Sequence, residues 1–368
     1  MSPTSNSASQ WPALNSGIES RTLTINDLQM HVLEAKPSKN GVATDGQPPS
    51  PLVILLHGFP ELAYSWRKVL GPLAEAGYHV VAPDQRGYGR TKSAAQNQST
   101  IRYEDDLDSF RMTNLVKDVV TLVYTLGYQS VAAIVGHDFG SPVAAYCALI
   151  RPDIFKSVVM MSSPFAGPPK LSLGKPPTSP TLARLDPPRK HYGLYYSTPE
   201  ANAHMMDPPG GLHAFLRENY HVKSADSKHT TPHPLSAPTP SVMAELPHYY
   251  IMLMHETMPQ SVHGSGPSAE EIQNNKWLTE GELGVFPAWS SDRELFSGMQ
   301  INVPAMFMAG KQDWGTYQFP GAAEAMREKA CKNMVDFVLI DGAGHWVQQE
   351  QSGAVVEHLL RFLNKVQQ

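Results

Sequence analysis

The chain has 368 residues, 41% of them hydrophobic, which suits one large α/β domain with an insertion better than two full domains. A net charge of -5 without a basic block argues against nucleic acid or an anionic membrane surface as a partner. The only cysteines, Cys147 and Cys331, indicate neither a disulfide framework nor a thiolate metal site. Met1 to Trp11 lack a secretory signal and no apolar stretch is long enough to span a membrane, so we expect a soluble cytoplasmic protein.

Short apolar runs alternate with helix-like segments along the chain, a pattern typical of a mainly parallel sheet covered on both faces. Runs at 21–25 and 28–33 flank Asn26 and Asp27 and predict a hairpin at the sheet edge. A polar loop is expected at 36–50. An apolar residue recurs every three or four positions from near Thr113 to Gly127 and predicts a helix. Further predicted strands are Leu52–Leu56, Val80–Ala82, Val131–Val135, Val158–Met161, Ala305–Ala309 and Val335–Ile340.

The strand rhythm stops between residues 164 and 300. Pro-rich loops at 164–188 and 230–240 surround segments that we predict to be helical, Ala201–Met206 and Val242–Met254. Strand character returns at Val303. We therefore predict a core formed by residues 1–163 and 301–368, with an inserted, mostly helical cap at 164–300.

A Gly-x-Asp-x-Gly pentapeptide ends one predicted strand and carries the most specific chemical signal. Asp138 stands between Gly136 and Gly140, where the nucleophile elbow of an α/β-hydrolase fold carries a serine between small residues. A carboxylate attacks carbon and forms an alkyl ester, whereas serine attacks acyl groups. Taken alone, a Gly-x-Asp-x-Gly sequence is more often just an Asp-containing turn.

Two later loops supply partners for an aspartate nucleophile in the chain order nucleophile, acid, histidine. Asp313 follows the strand at 305–309 and His345 follows the strand at 335–340, so all three side chains are expected at the carboxyl edge of the sheet. Either residue alone is more often a turn aspartate or a solvated histidine. We predict Asp138, Asp313 and His345 as a catalytic triad.

The loop after Leu56 predicts an oxyanion hole. Gly58 permits a tight turn, after which the backbone N–H of Phe59 would face the site together with that of Phe139. Pro60 is a candidate for a cis peptide that holds this turn. We expect Asp84, in the next such loop, to pair with loop N–H groups or an arginine.

Five motifs in this order resemble one family. HGFPE with SWR within 57–67, DQRGYGR at 84–90, GHDFG at 136–140, GKQDWG at 310–315 and GAGHW at 342–346 are similar to the soluble α/β-hydrolase-fold epoxide hydrolases, the fungal members above all. The resemblance covers the chain from Leu52 to the carboxyl terminus. It implies that Asp138 opens an oxirane, that His345 activates the water, that Asp313 orients His345 and that the product is a vicinal diol.

The same resemblance implies two cap tyrosines that donate hydrogen bonds to the oxirane oxygen. Tyr192, in HYGLYY, matches the first. The stretch 283–296, where relatives carry Trp-Tyr-Arg, contains no tyrosine. Tyr249, Tyr250 and Tyr317 remain as substitutes, and no motif selects among them.

Two other functions remain open. A dehalogenase shares the aspartate elbow but typically has a tryptophan where this chain has Phe139. A ligand-binding or isomerising protein on the same scaffold is compatible with the missing tyrosine. No His-x-His or paired-cysteine spacing suggests a metal, and no cofactor is expected. The expected partners are a small apolar epoxide and water; a homodimer is left open.

Overall fold

The structure is a computed structural model that describes residues 12, 14–37, 50–93, 107–168, 179–228, 231–283 and 299–367. Three sequence predictions lie wholly or mostly outside these residues: the tail 1–11, the polar loop 36–50 and the tyrosine-free stretch 283–296. Within the described ranges, no helix is both long and apolar enough to cross a membrane.

Nine strands of the described residues form one sheet in the order β1-β2-β4-β3-β6-β7-β10-β11, with β5 pairing to β2. The pairs from β4 through β11 are parallel, and β2 pairs antiparallel with β1, β4 and β5. The strands are β1 Ile18–Ile25, β2 Leu28–Ala35, β3 Leu52–Leu56, β4 His79–Pro83, β5 Lys92–Ser93, β6 Ala133–His137, β7 Val158–Met161, β10 Ala305–Gly310 and β11 Met334–Ile340.

The sheet is buried on both faces, as its continuous apolar strands predict. Along β3, Val53 and Leu55 pack into one apolar cluster, and Ile54 and Leu56 pack into the cluster on the opposite face. The alternation follows from the two-residue period of a strand. The predicted hairpin and the six predicted strands match the observed elements to within three residues at each end.

Helices cover both faces of the sheet. Those that follow β3 and β11 pack against one face, and those that flank β6 pack against the other. The helices are α1 Arg67–Glu75, α2 Met112–Thr125, α3 Gly140–Ile150, α4 Ser179–Leu182, α5 Tyr192–Tyr196, α6 Glu200–Met206, α7 Gly211–Lys223, α8 Pro240–Met243, α9 Met258–Val262, α10 Ala269–Asn274, α11 Glu280–Leu283, α12 Ala322–Ala325, α13 Val347–Glu350 and α14 Ser352–Val366.

The chain between β7 and β10, called here the β7–β10 segment, contains α4 to α11. Of its described residues, none joins the large sheet, and β8 (Arg189–His191) and β9 (Ile251–Leu253) pair antiparallel as a small sheet of their own. The prediction of a region without sheet structure was wrong on this point. Three-residue strands are too short to show a period in the sequence.

The helix predicted at Val242–Met254 was also wrong. Helix α8 ends at Met243, and the carbonyl of Pro247 accepts hydrogen bonds from the N–H groups of Tyr250 and Ile251 in a turn that leads into β9. Proline has no N–H to donate and disfavours a helical residue before it. The predicted helix Ala201–Met206 is present as α6.

Candidate active site

Asp138 lies on a sharp turn between β6 and α3. Its φ of 51° places it in the left-handed region that L-residues seldom adopt. The flanking glycines permit the close approach of strand and helix, because a Cβ on Gly136 would lie 2.0 Å from the carbonyl oxygen of Gly140. A Cβ on Gly140 would lie 2.4 Å from the carbonyl oxygen of Leu56. No other residue fits either position without moving backbone.

The Asp138 carboxylate is held from two sides. The backbone N–H of Phe59 donates a 2.9 Å hydrogen bond to Oδ1, and His345 Nε2 lies 3.3 Å from Oδ2. Burial alone would raise the pKa of Asp138, but the contacts with His345 and Phe59 outweigh it and bring the pKa well below its ordinary value. Asp138 is therefore an anion at neutral pH, as a nucleophile must be.

The loop that carries Phe59 approaches the carboxylate very closely. A Cβ on Gly58 would lie 2.3 Å from Asp138 Oδ1, so only glycine fits there. The Phe59–Pro60 peptide is cis. Asp84 secures the neighbouring turn, because its carboxylate accepts hydrogen bonds from the N–H groups of Ala63 and Arg90. The expected pairing of Asp84 with loop N–H groups is thus observed.

His345 connects the two carboxylates. Its Nδ1 lies 3.1 Å from Asp313 Oδ1, which also accepts a 2.7 Å hydrogen bond from the N–H of Gly315. Burial would lower the pKa of His345, but Asp313 and Asp138 raise it to about 10. The imidazole is therefore protonated while Asp138 carries its negative charge.

The peptide groups of His345 are as firmly held as its ring. Its N–H donates to the carbonyl of Lys223 at 2.8 Å, and its carbonyl accepts from His137 Nε2 at 2.7 Å and from Ser162 Oγ at 3.1 Å. His137 in turn is paired with Glu61 through a 2.6 Å contact between Nδ1 and Oε2. The sequence did not predict these buried partners, although His137 and Glu61 both belong to motifs that resemble the family.

Glu350 secures the loop on both sides of His345. Its carboxylate accepts hydrogen bonds from the N–H of Gly344 at 3.1 Å, from that of Trp346 at 3.0 Å and from that of Ala225 at 2.7 Å. Burial, opposed by these bonds, raises the pKa of Glu350 to about 7. Because Ala225 belongs to the β7–β10 segment, one carboxylate connects that segment to the loop carrying His345.

Asp138 and His345 open on a cavity of about 280 Å³ between the sheet edge and the β7–β10 segment. Tyr192 lines this cavity, and its hydroxyl donates a 3.4 Å hydrogen bond to Oε1 of Gln318, which also lines it. Of the three substitute tyrosines, Tyr250 lines the cavity, whereas Tyr249 and Tyr317 do not. The described lining residues are Phe59, Tyr88, Asp138, Phe139, Ser163, His191, Tyr192, Gly193, Tyr196, Met205, Lys223, Tyr250, Gln318, Phe319 and His345.

The arrangement of these side chains suits nucleophilic displacement at a carbon atom. An anionic carboxylate faces a mostly aromatic cavity, a histidine with its own carboxylate stands beside it, and phenol groups lie in the same space. Within the ranges that the structure describes, no cluster of three His, Cys, Asp or Glu side chains could hold a metal ion.

Residues 51–192 match the model of a family described as the alpha/beta hydrolase fold. Over 93% of its length the chain is 31% identical to epoxide hydrolase A of Mycobacterium tuberculosis, covering 96% of that protein. It is 30% identical to epoxide hydrolase B of the same organism, over 91% of this chain and 98% of that one. A solved structure of an epoxide hydrolase from an endophytic Streptomyces is similar, with a TM-score of 0.72 and 26% identity, covering 96% of this chain and 97% of that one.

Proposed function

Because the chain belongs to the family of epoxide hydrolases with the α/β-hydrolase fold, we propose that it converts an epoxide and water into a vicinal diol without a cofactor. One observation carries the proposal: the Asp138 carboxylate, held by Phe59 and His345, faces a cavity that also contains the Tyr192 phenol. Proton donor and nucleophile are thus available to the same small molecule.

In the first step Asp138 Oδ2 attacks an oxirane carbon. The carbon–oxygen bond of the ring breaks, an alkyl ester forms, and the departing oxygen takes the phenolic proton of Tyr192, so that no free alkoxide is released. Tyr192 is left as a phenolate at the end of this step. Four tyrosines line the described cavity, Tyr88, Tyr192, Tyr196 and Tyr250. Of the three substitutes that the sequence left open for the second donor, Tyr250 is the one in this lining, and we assign it that supporting role.

In the second step His345 activates water. Ester formation removes the negative charge of Asp138, which is one of the two charges that raise the pKa of His345. The imidazolium then gives its proton through solvent to the Tyr192 phenolate, and the neutral imidazole takes a proton from the water that attacks the ester carbonyl, while Asp313 holds Nδ1. When the tetrahedral intermediate collapses, that proton passes to the leaving diol oxygen, and the new Asp138 carboxyl group returns its own proton to His345. The Phe59 N–H, already on Asp138 Oδ1, and the Phe139 N–H would stabilise the tetrahedral oxyanion as the ester is hydrolysed.

We assign residues 164–300 the role of a cap over a core of residues 1–163 and 301–368. The β7–β10 segment supplies Tyr192 and Tyr250 to the cavity, and the core supplies Asp138, Asp313 and His345. In this division the core supplies the nucleophile and the base, and the cap supplies the proton donors and the surface that selects the substrate.

Single turnover in oxygen-18 water tests the proposal. A panel of aryl and alkyl epoxides identifies a substrate, and excess enzyme then converts it once. We expect unlabelled oxygen in the first diol formed and label in the Asp138 carboxylate. A first diol labelled wholly from solvent would contradict covalent catalysis. Chloroalkanes provide the control for a dehalogenase, which Phe139 disfavours because its ring has no N–H donor for a halide.

A further inference from the structure

Lys223 is the one lysine or arginine among the described residues that line the cavity. It is the last residue of α7, and its own carbonyl accepts the N–H of His345. This backbone bond fixes the position of Lys223 relative to the reacting groups. The mechanism proposed above makes no use of its ammonium group.

The ammonium of Lys223 has no anionic partner. Of the carboxylates in the described ranges, none lies within 4.0 Å of its Nζ. The two nearby acids are directed elsewhere, since Asp138 contacts Phe59 and His345, and Asp313 contacts His345 and Gly315. A half-buried lysine without a counterion is unusual, because desolvation of its charge goes uncompensated.

Aromatic rings surround this ammonium without replacing a counterion. Nζ lies 5.7 Å from the ring centre of Tyr249, 5.9 Å from that of Tyr250 and 5.8 Å from that of Trp346. These distances are at the outer limit of a cation–π contact. Burial lowers the pKa of Lys223, and the charges of Asp138 and Asp313 act against that lowering.

The remaining lining gives the cavity an amphipathic character. Most of its side chains are aromatic, and burial lowers the pKa of His191 to about 4, so His191 adds no positive charge at neutral pH. The charge of the His345 imidazolium is already paired with Asp138 and Asp313. A cavity with an apolar wall and a single lysine suits a ligand with an apolar body and one anionic group. Such a substrate would otherwise be repelled by the Asp138 carboxylate.

We propose that Lys223 is an anion-binding subsite and that the enzyme acts on epoxides that carry a carboxylate. The carboxylate would pair with the Lys223 ammonium while the oxirane lies between Asp138 and Tyr192. The placement of the oxirane in this inference rests on the proposed function. The placement of the carboxylate rests only on the geometry of Lys223.

The test compares terminal epoxy carboxylic acids of increasing chain length with their primary amides. The measured quantity is the ratio of kcat/KM for an acid to kcat/KM for its amide. For Lys223→Met we expect this ratio to fall about 10- to 100-fold at the best chain length, the range for a lost charge-assisted hydrogen bond. Lys223→Arg should restore part of the ratio.

Lys190→Met provides a matched control. Lys190 also belongs to the β7–β10 segment and also lies over an aromatic ring, 5.2 Å from the centre of Tyr195, but it does not line the cavity. It changes net charge by the same amount, so it should leave the acid-to-amide ratio near that of the wild type. An equal fall of acid and amide turnover in Lys223→Met would overturn the subsite, because that result is expected of a proton donor or a structural residue.

A binding measurement separates this inference from the proposed function. Calorimetry with the saturated acid and its amide, which contain no oxirane, requires no turnover. Tighter binding of the acid that is lost in Lys223→Met supports the subsite even if no epoxide is hydrolysed. Equal affinity for acid and amide in the wild type contradicts it even if epoxides are good substrates.

Discussion

The sheet edge and the β7–β10 segment contribute to the cavity in different ways. From the sheet come Asp138, Asp313 and His345, each on a loop directly after a parallel strand, and contacts of 3.1 and 3.3 Å join them. From the segment come Tyr192 at the start of the five-residue helix α5, Tyr250 in the turn before β9, and Lys223 at the end of α7. We therefore expect the sheet edge to supply the nucleophile and the base, and the segment to supply the proton donor and the surface that selects the substrate.

Asp138→Asn should have the largest effect, and it tests the contribution of the sheet edge to catalysis. The amide is a poor nucleophile but keeps the size of the side chain and tolerates the left-handed backbone. We expect kcat to fall by about 10000-fold, the scale of losing a covalent nucleophile. Steady-state assay on the best epoxide of the panel measures it, and circular dichroism checks the fold. A loss below tenfold would remove Asp138 from the mechanism.

His345→Gln should stop the reaction halfway. Ring opening by Asp138 does not need a base, whereas hydrolysis of the ester does, so the alkyl-enzyme should accumulate while kcat falls about 1000-fold. Mass spectrometry of the intact protein should show the added mass of one whole epoxide. If the variant remains unmodified and inactive, His345 is required before the ester forms.

Tyr192→Phe tests the contribution of the β7–β10 segment to catalysis. Losing the hydroxyl should lower kcat about 30-fold, equal to ~2 kcal/mol of transition-state stabilisation. The ester should not accumulate, because ring opening becomes the slow step. Tyr195→Phe is the control: Tyr195 is buried nearby, with its hydroxyl 3.4 Å from His204 Nδ1, but does not line the cavity. Equal losses in both variants would indicate a packing effect.

The pH dependence of stability should show the smallest effect. His345 has a pKa raised from 6.5 to about 10, so its charged contacts stabilise the fold fully below pH 6.5, and this contribution is lost as the pH rises through about 10. Urea unfolding of wild type and His345→Gln at several pH values measures the difference. The advantage of the wild type should shrink from pH 6.5 to 10, and a constant difference would contradict a raised pKa.

The success of sequence-based prediction differs between the two regions for physical reasons. Buried parallel strands are continuous apolar runs, and the loop after each strand must reach the same edge, so Asp138, Asp313 and His345 could be placed near each other. The segment has no such constraint. Its small sheet consists of two three-residue strands whose paired residues are about 60 positions apart in the sequence. Lys223 lines the cavity because α7 ends beside it. The Glu61–His137 pair was missed because two residues that meet across the fold show no characteristic spacing in the sequence.

Glu350 fixes the distance between the two halves of the proposed binding site. Moving the β7–β10 segment away from the core at this point would deprive the N–H of Ala225 of its acceptor, at a cost of about 1–3 kcal/mol, and would also break the bond between Lys223 and His345. The indole N–H of Trp346 also donates to the carbonyl of Tyr220, so several contacts hold the end of α7 against the loop of His345 and keep Lys223 in place. The span from its ammonium to Asp138 would stay constant, so the enzyme would select anionic epoxides by their length.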